Sequence, residues 1–275
     1  MNHAEVPGLR VGTSSWSAES WVGPFYPPGT RPADFLPVYA GHFPTVEVDS
    51  TYYRVPSAAM VKNWYARTPA GFVFAAKFPQ SITHEKVLEG CEEETKEFLG
   101  VMDLLGEKLG PLLLQFPYFN RQAFARTEDF TARLTRFLDA LPAGRSYAVE
   151  VRNRHWLNEP LLRLLRERGV ALALADQAWM PRIGEVAEKF DVLTATFTYI
   201  RLIGDRQGIE KKTKTWDKLV VDRAPETQTW VRYVRRFLQR GAVVYLYVNN
   251  HWAGFAPGSI ALFWDVWAHT PSAGA

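Results

Sequence analysis

Eight short apolar segments, separated by amphipathic stretches, are the feature of this sequence that most restricts its fold. Continuous apolar runs of this length are typical of parallel strands that are buried on both faces. The stretches between them are long enough to form helices that cover such a sheet. Ser57–Arg67, for example, begins with a serine suited to cap a helix N-terminus. The predicted strands are Arg10–Trp16, Thr45–Tyr52, Phe72–Phe78, Pro111–Phe116, Tyr147–Arg152, Val170–Asp176, Thr196–Ile203 and Ala242–Asn249.

Strands that alternate with helices indicate an α/β protein with a parallel sheet. The number of units predicts a single (β/α)8 TIM-type barrel, with allowance for irregular elements and with long βα loops. An open doubly wound sheet is the alternative, but no GxGxxG sequence follows any strand. We expect one domain over residues 1–275, with the barrel over about residues 10–268. Two connections are long, Pro117–Asp129 and Gly204–Thr227, and long loops are often functional.

The composition is that of a folded protein with a large core, since 47% of the 275 residues are hydrophobic and 22% are charged. The net charge of +3 is a weak basic bias, which does not by itself indicate nucleic acid. Cys91 is the only cysteine, which excludes an internal disulfide and fits a reducing compartment. Neither a signal peptide nor an apolar stretch of membrane-spanning length is visible. We therefore expect a cytoplasmic protein that does not associate with membranes.

Charged or amide side chains close every predicted strand from the second to the eighth. In a barrel, the C-terminal strand ends surround the mouth where active sites form. Because side chains alternate along a strand, Glu47 and Asp49 share one face, and so do Glu150 and Arg152. Burying an unpaired charge costs several kcal/mol, so this pattern indicates a functional site. The alternative is a buried charge network that only stabilises the barrel.

These strand ends supply the candidate site residues. The predicted catalytic residues are Glu150, Asp176, Lys77 and Asp49, with Glu150 or Asp176 as general acid or base. Cationic side chains are expected to bind an anion, amides to orient hydroxyl or carbonyl groups, and aromatic rings to form apolar walls. The predicted substrate-binding residues are Trp16, Glu47, Tyr52, His84, Gln115, Arg152, Arg201, Asn249, Asn250 and Trp252.

Large aromatic residues are concentrated in the first predicted βα loop, which carries Trp16, Trp21, Phe25 and Tyr26. Loops are usually polar, so the presence of four large aromatic side chains in one loop requires an explanation. One interpretation is that they form the wall of a small-molecule pocket together with the last βα loop. The other is that they fill a gap in the core, which we expect for at least two of Trp21, Phe25 and Tyr26.

No cofactor and no metal ligand are predicted. A divalent metal is an alternative, because carboxylates suit hard cations and the strand ends offer several of them. The spacing does not establish such a site, and Lys77 and Arg201 could offset the carboxylates without an ion. A metal site would draw on Glu47, Asp49, Glu150, Asp176 and His84.

The lysine-rich loop 206–218 either binds an anion or is a solvated surface, and its role stays open.

Several motifs follow one another along the chain: Val11-Gly12-Thr13-Ser14-Ser15-Trp16, Val46-Glu47-Val48-Asp49-Ser50-Thr51-Tyr52-Tyr53, Phe74-Ala75-x-Lys77 with His84, Glu150-x-Arg152 with Trp156, Ala175-Asp176, and Val248-Asn249-Asn250. Their order resembles the DUF72 family, also called YecE-like proteins, over about residues 11–262. The resemblance implies a TIM-barrel-type fold and supplies no reaction, because the family is named for its unknown function. One departure is Arg201-Leu202-Ile203-Gly204, where the family often has a histidine in place of Ile203.

Three functional hypotheses follow from the predicted mouth. The first is an enzyme, a hydrolase, isomerase or lyase, that uses acid–base chemistry on a small anionic or polyhydroxylated substrate. The second is a protein that binds nucleic acid or cleaves phosphodiesters, because aromatic and cationic side chains lie in the same loops. The third is a metabolite sensor that binds a ligand without changing it. The sequence makes no prediction of oligomeric state.

Overall fold

Eight parallel strands form a closed barrel in the computed structural model, which describes residues 6–271. Each strand pairs with its neighbours in sequence, and β1 also pairs with β8, which closes the sheet. The closure confirms the predicted (β/α)8 barrel and excludes the open doubly wound sheet. The strands are β1 (Leu9–Thr13), β2 (Thr45–Val48), β3 (Val73–Lys77), β4 (Leu109–Gln115), β5 (Tyr147–Glu150), β6 (Ala171–Gln177), β7 (Phe197–Gly204) and β8 (Val243–Val248).

Helices connect the strands and form the outer layer. The expected cap at Ser57 is present, since its side chain accepts a hydrogen bond from the Met60 amide at 3.2 Å. Among residues 6–271, no helix is long and apolar enough to cross a membrane. The helices are α1 (Phe35–Ala40), α2 (Ala58–Ala66), α3 (Glu92–Met102), α4 (Thr127–Ala140), α5 (Glu159–Glu167), α6 (Ile183–Ala187), α7 (Arg206–Glu210), α8 (Ala224–Gln239) and α9 (Ala256–His269).

Two strands end three or four residues earlier than the apolar pattern predicts. The first ends at Thr13 rather than Trp16, and the second ends at Val48 rather than Tyr52. After Val48 the chain turns into a 3-10 helix, in which the Thr51 hydroxyl donates to the Val48 carbonyl at 2.9 Å. The same hydroxyl accepts from the Lys77 amide at 3.1 Å, so the turn is fixed to the end of β3. A local side-chain hydrogen bond therefore ends the strand where hydrophobicity alone would extend it.

Side chains alternate between the barrel lumen and the outer layer along each strand. Ala173 on β6 and Tyr199 on β7 are partners in register and face the lumen, whereas Leu174 and Ile200 face the helices. The same alternation carries the C-terminal strand residues into the upper lumen, which builds the site described below. The lumen layer consists of Ala75, Leu113, Ala148, Ala171, Ala173, Phe197, Tyr199 and Tyr247.

The aromatic residues of the first βα loop mostly fill the core. Trp21 and Tyr26 are 1% and 0% exposed, and the Tyr26 ring stacks on Phe35 with centroids 4.4 Å apart. The half-buried Phe25 stacks on Phe43 at 5.3 Å. The core-filling interpretation is therefore confirmed for Trp21 and Tyr26, because buried rings cannot line a pocket.

Gly12 marks a close approach between β1 and β2. A Cβ atom at this position would lie 2.0 Å from the Thr45 carbonyl oxygen, which is backbone and cannot move aside. We expect Gly12→Ala to lower the free energy of unfolding by at least about 2 kcal/mol. Gly100→Ala is the matched control, since Gly100 is helical with open space around it, and should be neutral or stabilising. Urea denaturation measures both, and equal stabilities would contradict the expected clash.

Candidate functional site

Arg201 on β7 joins two buried carboxylates in the upper lumen. Its Nε and Nη2 donate to the two Glu47 oxygens at 2.8 and 2.9 Å, and its Nη1 donates to Glu150 at 2.5 Å. Nη1 also donates to the Gln115 side-chain oxygen at 3.3 Å, and the Tyr199 hydroxyl donates to Glu47 at 2.7 Å. Glu47 and Glu150 are both 0% exposed. The structure therefore joins the ends of β2, β4, β5 and β7 through one guanidinium.

The two glutamates of this network are held in the ionised form. Burial raises the pKa of Glu47, but the charges of Arg201 and Lys77 and the hydrogen bonds outweigh burial and lower it to about 2. Burial likewise opposes ionisation of Glu150, and the charges of Arg201 and Arg152 again prevail, so its pKa is lowered. A carboxyl group with a lowered pKa is a poor proton donor near neutral pH. Both groups thus act as fixed anions that position their cationic partners.

Lys77 and Asp49 form a second ion pair beside the first. The Lys77 ammonium contacts the Asp49 carboxylate directly and lies 3.8 Å from Glu47. The Lys77 side chain is 7% exposed, whereas 39% of the Asp49 side chain is exposed. Asp49 begins the 3-10 turn after β2, so the turn places this carboxylate nearer the opening than Glu47. The predicted residues Lys77 and Asp49 are therefore brought together at the barrel mouth.

Arg152, His84 and Tyr52 occupy the neighbouring part of the mouth. Arg152 donates from Nε to Glu150 at 3.1 Å, and 24% of its side chain is exposed. Burial lowers the pKa of His84, and the charges of Arg152 and Lys77 lower it further, to about 4. The imidazole is therefore neutral near pH 7, with Nδ1 2.8 Å from the Thr83 hydroxyl. The Tyr52 ring packs edge-on against His84 at 5.0 Å and forms a wall.

His251 extends the site on the side of β8 and was not among the predicted site residues. Its Nδ1 lies 2.7 Å from the Asn249 side-chain oxygen, and its Nε2 lies 3.2 Å from Glu210 of α7. Burial lowers the pKa of His251, and the Glu210 carboxylate partly opposes this shift. The long β7–α8 loop can lie this close because Gly204 has a φ of +78°, and a Cβ there would lie 2.2 Å from the His251 carbonyl oxygen.

Asp176 does not belong to this cluster, although the sequence predicts it at the mouth as a catalytic residue. It pairs with the outward-facing Leu202 of β7, and its carboxylate accepts from Trp230 of α8 at 2.7 Å and from Arg182 at 2.8 Å. Burial raises the pKa of Asp176 against the hydrogen bond from Trp230. A shift of one residue along a strand changes the face, and the sequence pattern did not resolve that shift.

Asn250 and Trp252 are also placed differently from the prediction. The Asn250 side-chain oxygen accepts from the Trp21 indole at 3.3 Å and from the Ala256 amide at 2.9 Å, so it ties the first βα loop to the last. Trp252 is 1% exposed, with the Arg223 guanidinium 4.8 Å from its ring centroid. The covered ring and the Asn250 oxygen thus make contacts within the loops.

Trp16 lies at the edge of the site rather than in the charged cluster. Its ring packs edge-on against Trp64 at 5.6 Å and Phe74 at 6.4 Å, and both of these belong to the outer hydrophobic layer. Its carbonyl accepts a hydrogen bond from the Tyr26 hydroxyl at 2.5 Å. The half-buried ring therefore links the first loop to α2.

The carboxylates considered for a metal do not form one ligand set. Glu47 and Glu150 direct their oxygens at Arg201, and Asp176 lies on the other face of β6. Within residues 6–271, no group of three or more His, Cys, Asp or Glu side chains is arranged to hold a metal ion. Guanidinium and ammonium groups thus take the positions around these carboxylates that a cation would need.

Acid should weaken the contribution of Glu47 to stability. Its pKa is about 2 in the folded protein against an ordinary value of 4.5, so this contribution is complete above about pH 4.5 and is lost as the pH falls towards 2. We expect the difference in unfolding free energy between the wild type and Glu47→Gln to shrink steadily between pH 5 and the lowest pH at which the protein folds. Urea titrations measure it, with Glu97→Gln on the exposed face of α3 as the control. A difference that does not change with pH would contradict the ionised state of Glu47.

Curated proteins of two bacteria are similar to this chain over nearly its whole length. The UPF0759 protein YecE of Escherichia coli K12 is 28% identical, covering 94% of this chain and 92% of its own. The UPF0759 protein YunF of Bacillus subtilis is 27% identical, covering 90% of both chains.

Solved structures agree with the barrel architecture. A DUF72 family protein from Thermotoga maritima has a TM-score of 0.71 at 26% identity, covering 95% of this chain and 99% of that chain. D-Psicose 3-epimerase has a TM-score of 0.55 at 12% identity, covering 95% of this chain and 96% of that chain. This likeness concerns the fold alone. The family model described as "Protein of unknown function DUF72" matches residues 10–273. The chain belongs to the DUF72 family, as the order of its strand-end motifs indicated.

Proposed function

We propose that this protein is an enzyme that performs acid–base chemistry on a small anionic or polyhydroxylated substrate at the C-terminal mouth of the barrel. The observation that carries the proposal is the incomplete hydrogen bonding of the Arg152 guanidinium. Glu150 holds its guanidinium through Nε alone, so both terminal amino groups have no hydrogen-bond partner among the described residues. A positioned and partly exposed guanidinium of this kind is suited to bind a carboxylate or phosphate group.

The groups beside Arg152 are suited to the rest of such a substrate. The neutral His84 imidazole, with Nε2 free of protein partners within residues 6–271, can exchange a hydrogen bond with a hydroxyl. The Gln115 amide nitrogen is available in the same sense, because only the oxygen of this side chain is used by Arg201. Tyr52 provides an apolar wall beside His84. An anionic group and neighbouring hydroxyls would therefore find complementary partners.

We assign the proton transfer to Lys77 and Asp49. An ammonium and a carboxylate in direct contact form an acid and a base, and Asp49 is the more exposed of the two. Glu150 acts as a fixed anion that positions Arg152 and Arg201, and Asp176 has no role in this proposal. Such chemistry is shared by hydrolases, isomerases and lyases.

A thermal-shift screen against hydroxy acids, sugar acids and sugar phosphates tests the proposal. A ligand at about 100 times its Kd adds about 2.7 kcal/mol of stability. We expect a hit from this set, and we expect Arg152→Ala to weaken its binding about 10- to 100-fold through loss of a charge-assisted contact. Arg154→Ala, an exposed neighbour, is the matched control and should keep the wild-type affinity.

Turnover of the ligand then separates an enzyme from a sensor. We expect Lys77→Met and Asp49→Asn to lower kcat by about 10²- to 10⁴-fold, the range of general acid–base catalysis. A ligand that binds through Arg152 and is recovered unchanged would support the sensor alternative. Binding that is insensitive to Arg152→Ala would place the ligand elsewhere and contradict the proposal.

A further inference from the structure

Three exposed aromatic rings surround the barrel mouth. Tyr53, Tyr118 and Trp179 are 69%, 65% and 50% exposed, on the loops that follow β2, β4 and β6. These loops leave the same end of the barrel, so the rings are distributed around the mouth on alternate strands. A large ring left in water forgoes the stabilisation that burial would give, and binding residues are disproportionately found on loops. Tyr53 also contacts Tyr52 at 5.1 Å, which joins this rim to the site below.

Each of these rings has an exposed arginine close to it in sequence. The pairs are Tyr53 with Arg54, Tyr118 with Arg121, and Trp179 with Arg182. The Arg182 guanidinium donates to Asp176, and 53% of its side chain remains exposed. Within residues 6–271, Arg54 and Arg121 form no ion pair. The same association of ring and cation therefore occurs three times at one end of the molecule.

The β7–α8 loop adds further positive charge to the rim. Its lysines are exposed and form no ion pair with any described acidic residue. At the opposite end of the barrel, by contrast, arginines have acidic partners, such as Arg145 with Asp103, Arg168 with Asp139 and Arg240 with Asp191. The β7–α8 loop therefore offers the rim ammonium groups that no described carboxylate neutralises through an ion pair. The lysines are Lys211, Lys212, Lys214 and Lys218.

Separated aromatic rings, each with an exposed arginine close to it in sequence, suit one class of partner. A flexible polyanion with planar groups offers phosphates to the cations and bases to the rings. A protein partner would favour a contiguous apolar patch, whereas these rings lie on different loops. We propose that the rim of the mouth binds single-stranded nucleic acid, with Tyr53, Tyr118 and Trp179 stacking on bases. This inference is independent of the small-substrate proposal.

Fluorescence anisotropy with a labelled oligonucleotide of about 12 nucleotides tests the rim. If the protein contacts about five phosphates, a plot of the logarithm of the association constant against the logarithm of the salt concentration should have a slope between about −3 and −4. We expect Tyr53→Ala, Tyr118→Ala and Trp179→Ala each to weaken binding at least about fivefold. An abasic strand of the same length should bind clearly more weakly, because it offers phosphates without bases.

A matched charge change controls for general electrostatics. The triple variant Lys211→Glu, Lys212→Glu, Lys214→Glu should abolish binding, whereas Lys62→Glu, Lys96→Glu, Lys189→Glu makes the same change in net charge away from the rim and should retain most of it. Equal loss in both triple variants, equal binding of the abasic strand, or no binding at low salt would overturn the inference. If poly-glutamate displaces the oligonucleotide, and if its own binding also requires the three rings, the partner is an acidic protein instead.

The small-ligand screen on the same samples keeps the two proposals apart. The exposed rim variants should keep the thermal shift that Arg152→Ala loses. A rim that fails to bind oligonucleotide while the thermal shift persists refutes only this inference. Oligonucleotide binding without any small-ligand response refutes only the proposed enzymatic function.

Discussion

The site depends on the pairing of one guanidinium with two carboxylates in the barrel lumen. Glu47 and Glu150 are completely buried, and each would cost several kcal/mol as an unpaired ion. Arg201 reaches both with three short hydrogen bonds, and Tyr199 completes the shell of Glu47. The planar fork of arginine makes this possible, since a lysine ammonium could not bind Glu47 through two parallel bonds and still reach Glu150.

This pairing determines what the rest of the mouth can do. Because Arg201 satisfies one oxygen of Glu150, the other is left to orient Arg152, whose terminal amino groups face no described partner. The charges of Arg152 and of Lys77 also lower the pKa of His84 and help to keep it neutral. The buried network is thus a platform, and the groups above it are the ones available to a ligand. The mouth as a whole contains three acids and three cations joined by ion pairs, Glu47, Asp49, Glu150, Lys77, Arg152 and Arg201.

Strand number and barrel closure could be predicted because a continuous apolar run marks a buried strand, whichever strand it pairs with in the sheet. The charged members Glu47 and Glu150 could be predicted because an alternation of two puts them in the lumen. Asp176 was misplaced because its face depends on the exact register of β6, which hydrophobicity does not report. Trp252 was misplaced because burial of a loop ring depends on distant residues. Tyr199 was missed, although its position two residues before Arg201 carries the needed signal.

The free energy of unfolding of Arg201→Met tests the central claim most directly. The account predicts a loss of about 3–5 kcal/mol, because two buried carboxylates remain without their partner. It also predicts that Glu47→Gln and Glu150→Gln, added to the same chain, recover much of that loss by removing the buried charges. A wild-type stability for Arg201→Met, or a loss that neutral glutamines do not reduce, would contradict the claim that this guanidinium holds the site together.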